Sequence, residues 1–235
     1  MGVPSRAVTS RPTRLGETSW PDVASGSILA LPVGSCEQHG PHLPLDTDTR
    51  IAVALAEALV TVRRDVMVAP AVAYGASDEH AAFAGTLSMG HEALVMVLTE
   101  LGRSADHFDG VVIVNGHGGN AEAVRRAVAS LEREGRRALA WWPAIEGSDA
   151  HAGYAETSMM LAIDHHLVRL DRAEAGNVAP LRELWPTLTS EGVAAVSPNG
   201  VLGDPTGASA TEGRLLLLRL AGDLDAAVTA WRARW

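Results

Sequence analysis

The sequence predicts an α/β domain whose sheet is mostly parallel and covered by helices on both faces. Two observations lead there. Short apolar runs alternate with longer stretches of helical pattern along most of the chain, and that alternation is the signature of repeated βαβ units. The run Gly110-Val111-Val112-Ile113-Val114 is apolar throughout, as expected of a strand buried on both faces.

The first strand is expected over residues 27–33, Ser-Ile-Leu-Ala-Leu-Pro-Val. A helix follows over 49–64, with Asp46, Thr47, Asp48 and Thr49 as N-cap candidates, because short polar side chains can accept from the free N–H groups of a first turn. A strand over 66–72, a helix over 92–107 and the strand over 110–114 come next. The last of these closes at Asn115-Gly116. A helix over 120–136, a strand over 138–142 and a helix over 156–168 continue the alternation, and 211–235 forms a long final helix. Between the last two helices the chain is polar and loop-rich. Its stretch 197–207, Ser-Pro-Asn-Gly-Val-Leu-Gly-Asp-Pro-Thr-Gly, is too turn-rich for a regular element and reads either as the wall or lid of a site or as a surface connection.

The length of 235 residues suits one domain spanning the chain. Residues 1–20 are expected to be a flexible tail rather than a transit peptide, with three arginines and no acid before Glu17. They also lack the apolar core of a secretory signal. A net charge of −9 argues against nucleic acid or an anionic membrane as partner. No apolar run approaches the ~20 residues of a membrane span, and the single cysteine, Cys36, excludes an internal disulfide. A reducing cytoplasm is the expected location.

Three clusters carry chemistry. The segment after the first strand holds Glu37, His39, His42, Asp46 and Asp48 among glycines and prolines. Glu37 and His39 are two residues apart, so in extended chain they project to the same side, with Cα atoms about 6.5–7 Å apart at a rise of ~3.3 Å per residue. Each can then hold one of two metals ~3.5–4 Å apart, and Asp48, returning after the turn, can bridge them. The second cluster is Asn115-Gly116-His117-Gly118-Gly119-Asn120, where His117 leaves the carboxyl end of a buried strand, the edge at which open α/β sheets bind ligands. Taken alone it reads equally as an anion nest or a tight turn. The third places His151 and Glu156 five apart near a helix start. Alone it reads as a surface His and a capping Glu; in company, Glu156 can complete a ligand set and His151 can move a proton near neutral pH.

Mixed carboxylate and imidazole donors suit Zn²⁺, Mn²⁺ or Fe²⁺ rather than a thiolate site. Cys36, beside Glu37, points away in extended chain and reads as a packing residue. Asp46, His42, His80 and His91 are candidates to orient ligands. His107, His165 and His166 fall in helical stretches and are expected to be structural or exposed.

Together the clusters resemble the creatininase family. Its pattern stands here as Glu37-Gln38-His39, Asp48, Gly116 to Asn120, and His151-Ala152-Gly153-x-x-Glu156-Thr157-Ser158. The resemblance implies a three-layer α/β/α fold, one metal held by Glu37, Asp48 and His117, and a second by His39, Asp48 and Glu156. It implies His151 as the catalytic histidine and a homo-oligomer, often a hexamer. The words 33–50 and 197–208 look most like a peptidase subgroup of that family. Those enzymes remove a C-terminal dipeptide derived from Val-Tyr from a modified, ribosomally made precursor peptide in redox-cofactor biosynthesis. One departure is Gly119, where creatinine-hydrolysing members carry Glu. The competing readings are a small-molecule amidohydrolase acting on creatinine, a formamide or a lactam, and a metal-binding scaffold that holds peptide without cutting it. An apolar recess for an aromatic product is expected from Trp141, Trp142 or Phe83.

Overall fold

A computed structural model describes residues 13–235. Most of the expected N-terminal tail lies outside them; from Thr13 on the chain is seated, its carbonyl accepting from the Val68 N–H at 2.8 Å.

Four strands form one sheet: β1 (Ile28–Val33), β2 (Val66–Val68), β3 (Gly110–Asn115) and β4 (Ala138–Trp141). Every pairing is parallel and the order is β2-β1-β3-β4. All residues of β1 and β3 are buried, which is why both read as unbroken apolar runs. Pro32 sits inside central β1 without an N–H to donate. On its side of the strand β2 has already stopped at Val68, and the chain detours through Pro70 before Val72 returns to bond the Pro32 carbonyl at 3.0 Å. The second strand is accordingly shorter than the expected 66–72.

The helices α1 (Thr47–Val62), α2 (Gly90–Ser104), α3 (Ala121–Arg133), α4 (Tyr154–Asp164) and α7 (Ala210–Arg232) cover the sheet. On one face α1, α4 and α7 pack with Ile28, Ala30, Val112 and Val114; on the other α2 and α3 pack with Leu29, Leu31, Val111 and Ile113. The result is the three-layer α/β/α arrangement. Alternating strand residues go to opposite faces, and the helices answer with stripes such as Ala123, Val124, Ala127, Val128 and Leu131 on α3. Two further helices, α5 (Leu181–Glu191) and α6 (Val193–Val196), lie in the segment expected to be loop-rich. Among the described residues no helix is long and apolar enough to cross a membrane.

Candidate metal centre

From β1 the chain moves to β2 on one side and then to β3 on the other. The carboxyl ends of β1 and β3 therefore flank the topological switch point, where such sheets open a ligand crevice. Glu37 and His39 leave β1 into that crevice and His117 leaves β3 into it. The first turn of α1 is pressed between the two strand ends. A Cβ at Gly34 would collide with the backbone of Thr49, and one at Gly116 with the carbonyl of Asp48. Only glycine permits this approach, and it brings Asp48 inside. The fully buried Asn120 ties the edges together. Its amide donates to the Gly34 carbonyl at 2.9 Å and to Asn115 Oδ1 at 3.1 Å, while its oxygen accepts from the Ala76 N–H at 2.8 Å.

The predicted ligands converge. His117 Nε2 is 3.1 Å from Glu37 Oε2, and its Nδ1 is 3.2 Å from Asp48 Oδ2. His39 Nε2 is 3.0 Å from Asp48 Oδ1 and 3.9 Å from Glu156 Oε2. Glu37, Asp48 and His117 thus form one group of candidate ligand atoms and His39, Asp48 and Glu156 another, with Asp48 common to both; Glu37, His39 and His151 form a third, and each spans no more than 4.8 Å. His39 faces its Nδ1 to the Glu37 carbonyl at 3.2 Å, which fixes the ring and leaves Nε2 toward the group. Ser35 Oγ donates to Asp48 Oδ2 at 2.8 Å. Glu156 reaches in from the first turn of α4, and its Oε2 accepts from the Ala152 N–H at 2.6 Å.

The carboxylate of Glu37 is fully buried and faces imidazoles, His117 Nε2 at 3.1 Å from Oε2 and His80 Nε2 at 3.3 Å from Oε1. Gathering buried carboxylates in one place is costly, and a cation between them answers that cost. The residues present therefore fit a divalent ion. Burial pushes the Glu37 carboxyl up, but the charge and hydrogen bonding of His117 outweigh it and hold the pKa at about 2. Burial pulls His39 down, yet the charge and hydrogen bond of Asp48 carry it to about 10. His117 is raised well above, and Asp48 held well below, their ordinary values by the same mutual pairing against burial. Burial lifts Glu156 to about 7, with His39 opposing. Two imidazolium protons thus balance the carboxylates, in the places that divalent ions would take by displacing them.

His151 lies against this cluster, its ring 4.3 Å from that of His39 and 4.6 Å from that of His80. Burial, then the charges of His39 and His80, hold it far below the usual histidine range, hence neutral. His151 Nε2 is 2.9 Å from the Gln38 carbonyl and 3.1 Å from the Gln38 side-chain amide nitrogen. Its Nδ1 is 3.9 Å from Glu37 Oε1. The Gln38 amide nitrogen lies 2.9 Å from His80 Nδ1 and donates to the Gly200 carbonyl at 3.0 Å. The 197–207 stretch therefore forms a wall, further pinned where the Leu202 N–H donates to the His151 carbonyl at 2.9 Å.

Of the candidates to orient ligands, His80 faces Glu37 with Nε2 at 3.3 Å from Oε1, and His91 meets the Gly119 carbonyl at 3.0 Å. His42 bonds Thr157, and Asp46 pairs with Arg50 outside the cluster. Trp141 packs against the core and Trp142 lies under Arg125. Cys36 is half-buried with its thiol toward the Gly85 carbonyl. Sequence reasoning did not single out Glu79, whose Oε1 is 3.6 Å from His117 Nε2. A lone Glu in a turn has no spacing signature, and only the fold brings it here.

A family model described as creatininase, creatinine amidohydrolase, matches residues 16–228. A protein of Mycobacterium ulcerans (strain Agy99) named mycofactocin precursor peptide peptidase is 52% identical over 234 residues, covering 95% of this chain and 90% of that protein. A crystal structure of creatinine amidohydrolase is similar with a TM-score of 0.79 at 25% identity, over 93% of this chain and 97% of that one. A creatininase mutant of Zn-Zn type gives a TM-score of 0.78 at 25% identity, over 93% and 98% of the two chains.

Proposed function

The chain belongs to the creatininase family, and on that premise we propose that it trims the modified mycofactocin precursor peptide, releasing a C-terminal Val-Tyr-derived dipeptide in redox-cofactor biosynthesis. It is a metal-dependent hydrolase of C–N bonds. The observation that carries the reading is the sharing of Asp48 between two ligand groups at the β1/β3 crevice. Similarity to a peptidase of that name over nearly the whole chain supplies the substrate class.

Glu37, Asp48 and His117 would hold one divalent ion, and His39, Asp48 and Glu156 the other, with Zn²⁺, Fe²⁺ or Mn²⁺ as the fitting ions. When bound, such ions polarise the scissile carbonyl and bring the pKa of water to about 7. The rest falls to the chain's own residues. Neutral His151, with Nδ1 3.9 Å from Glu37 Oε1, would take a proton at the cluster and deliver it to the departing amine. The backbone N–H groups of Gly118 and Gly119, next to His117, would hold the tetrahedral oxyanion. Asn120, Ser35 and Gln38 keep these groups in position. A homo-oligomer, as a hexamer, and a cytoplasmic location complete the proposal.

The test is mass spectrometry of the metal-loaded protein with the modified precursor peptide, alongside a creatinine assay. The expected result is a C-terminal dipeptide product that disappears with EDTA and returns with added metal. Absence of cleavage with Zn²⁺, Mn²⁺ and Fe²⁺ alike would transfer the reading to a small-molecule amidohydrolase.

A further inference from the structure

We propose that Glu79 is an additional carboxylate of the Glu37–Asp48–His117 group, placed on its open side and strengthening cation binding there. The inference rests on the metal-centre reading above and adds a residue to it.

Glu79 stands in the 3-10 turn Asp78–His80, between β2 and α2. That turn aims two successive side chains at one group: His80 Nε2 is 3.3 Å from Glu37 Oε1, and Glu79 Oε1 is 3.6 Å from His117 Nε2. Glu37 is fully buried, whereas the Glu79 side chain is 22% exposed. Glu79 therefore lies at the mouth of the group and Glu37 at its floor.

The space beside His117 is reserved for this carboxylate. A Cβ at Gly119 would run into the Glu79 carboxylate and the His117 ring, and would fall 2.5 Å from the Ala76 carbonyl oxygen. The two side chains can swing away; the Ala76 backbone, bonded through its N–H to Asn120, cannot. A side chain at 119 is thus shut out, and the space beside His117 is left to the carboxylate of Glu79. The turn is held from behind. The Ser77 N–H donates to Ser88 Oγ at 2.9 Å, and a Cβ at Gly192, between α5 and α6, would come 2.8 Å from the Glu79 carbonyl oxygen. Glu79 thus sets a third carboxylate beside the Glu37–Asp48–His117 group, 3.6 Å from His117 Nε2. The added negative charge near His117 favours a divalent ion there.

The test compares wild type, Glu79→Gln, which keeps the shape, and Glu79→Ala, by titrating the stripped proteins with Zn²⁺ and with Mn²⁺ against a chromophoric chelator. Supporting residues around a metal site commonly change affinity by about 10–100-fold. Both variants should show that loss for one of two ions and none for the other, with the thermal midpoint of the stripped protein not lowered. In a Glu156→Ala background, which leaves only the Glu37 group intact, the loss should persist for the remaining ion. Two ions bound by Glu79→Gln as tightly as by wild type would overturn the assignment of Glu79 alone. A wild type that binds no ion would overturn the metal centre and this assignment with it.

Discussion

Glu37 and His151 share one buried pocket, yet their surroundings give them opposite characters. Glu37 stays ionised, with His117 Nε2 3.1 Å from its carboxylate. His151 stays neutral, because burial and two neighbouring imidazoles oppose its charge. The first suits a ligand and the second a proton carrier. Replacing Glu37 or His117 with Ala should therefore abolish metal content and peptide cleavage together. His151→Ala should keep both ions while kcat falls by about 10²–10⁴-fold, the usual range for general acid–base help. Elemental analysis and turnover measured on the same preparation check both outcomes. A folded His151→Ala protein without metal would remove His151 from its role.

At the scale of elements, the decisive contact is the first turn of α1 against the ends of β1 and β3. Gly34 and Gly116 allow it and Asn120 locks it, so Asp48 reaches both ligand groups. Gly116→Ala would push a methyl into the Asp48 carbonyl. Overpacking of this kind costs about 1–3 kcal/mol, and urea denaturation with and without Zn²⁺ should show that loss plus weaker stabilisation by the ion. A variant equal to wild type in both would mean that α1 has room to move. The strands were legible because burial on both faces leaves unbroken apolar runs, as in 110–114. Helix α5 was not. It holds Pro186 and buries no residue, so its sequence carries neither an apolar stripe nor a clean helical run. The end of β2 at Val68 was equally hidden, since Val72 continues the apolar pattern while Pro70 turns the chain aside.

Across the whole molecule, the order β2-β1-β3-β4 places the switch point between the two strands whose ends carry the ligand motifs. The site was legible because its residues are grouped in short words at strand and helix ends. Glu79 was not, because its approach to His117 depends on where a turn 38 residues earlier in the chain comes to rest. The charge balance of the cluster sets a pH dependence. His39 rises from an ordinary value near 6.5 to about 10 in the folded protein. Its protonated form therefore stabilises the metal-stripped fold fully below about pH 6.5, and that contribution is lost as pH climbs through 10. Bound ions need the deprotonated imidazole, so their affinity improves over the same window. Thermal unfolding in EDTA should fall in midpoint between pH 7 and pH 10, and the gap to the metal-loaded protein should widen. Parallel curves would count against His39 as a ligand that exchanges a proton for an ion.

The central claim is that Asp48 joins two metal sites, and anomalous diffraction from crystals grown with Zn²⁺ or Mn²⁺ tests it most directly. Two anomalous peaks about 3.5–4 Å apart are expected, with one oxygen or both of the Asp48 carboxylate between them, Glu37 and His117 on one peak and His39 and Glu156 on the other. A single peak, or two that Asp48 does not touch, would contradict the account.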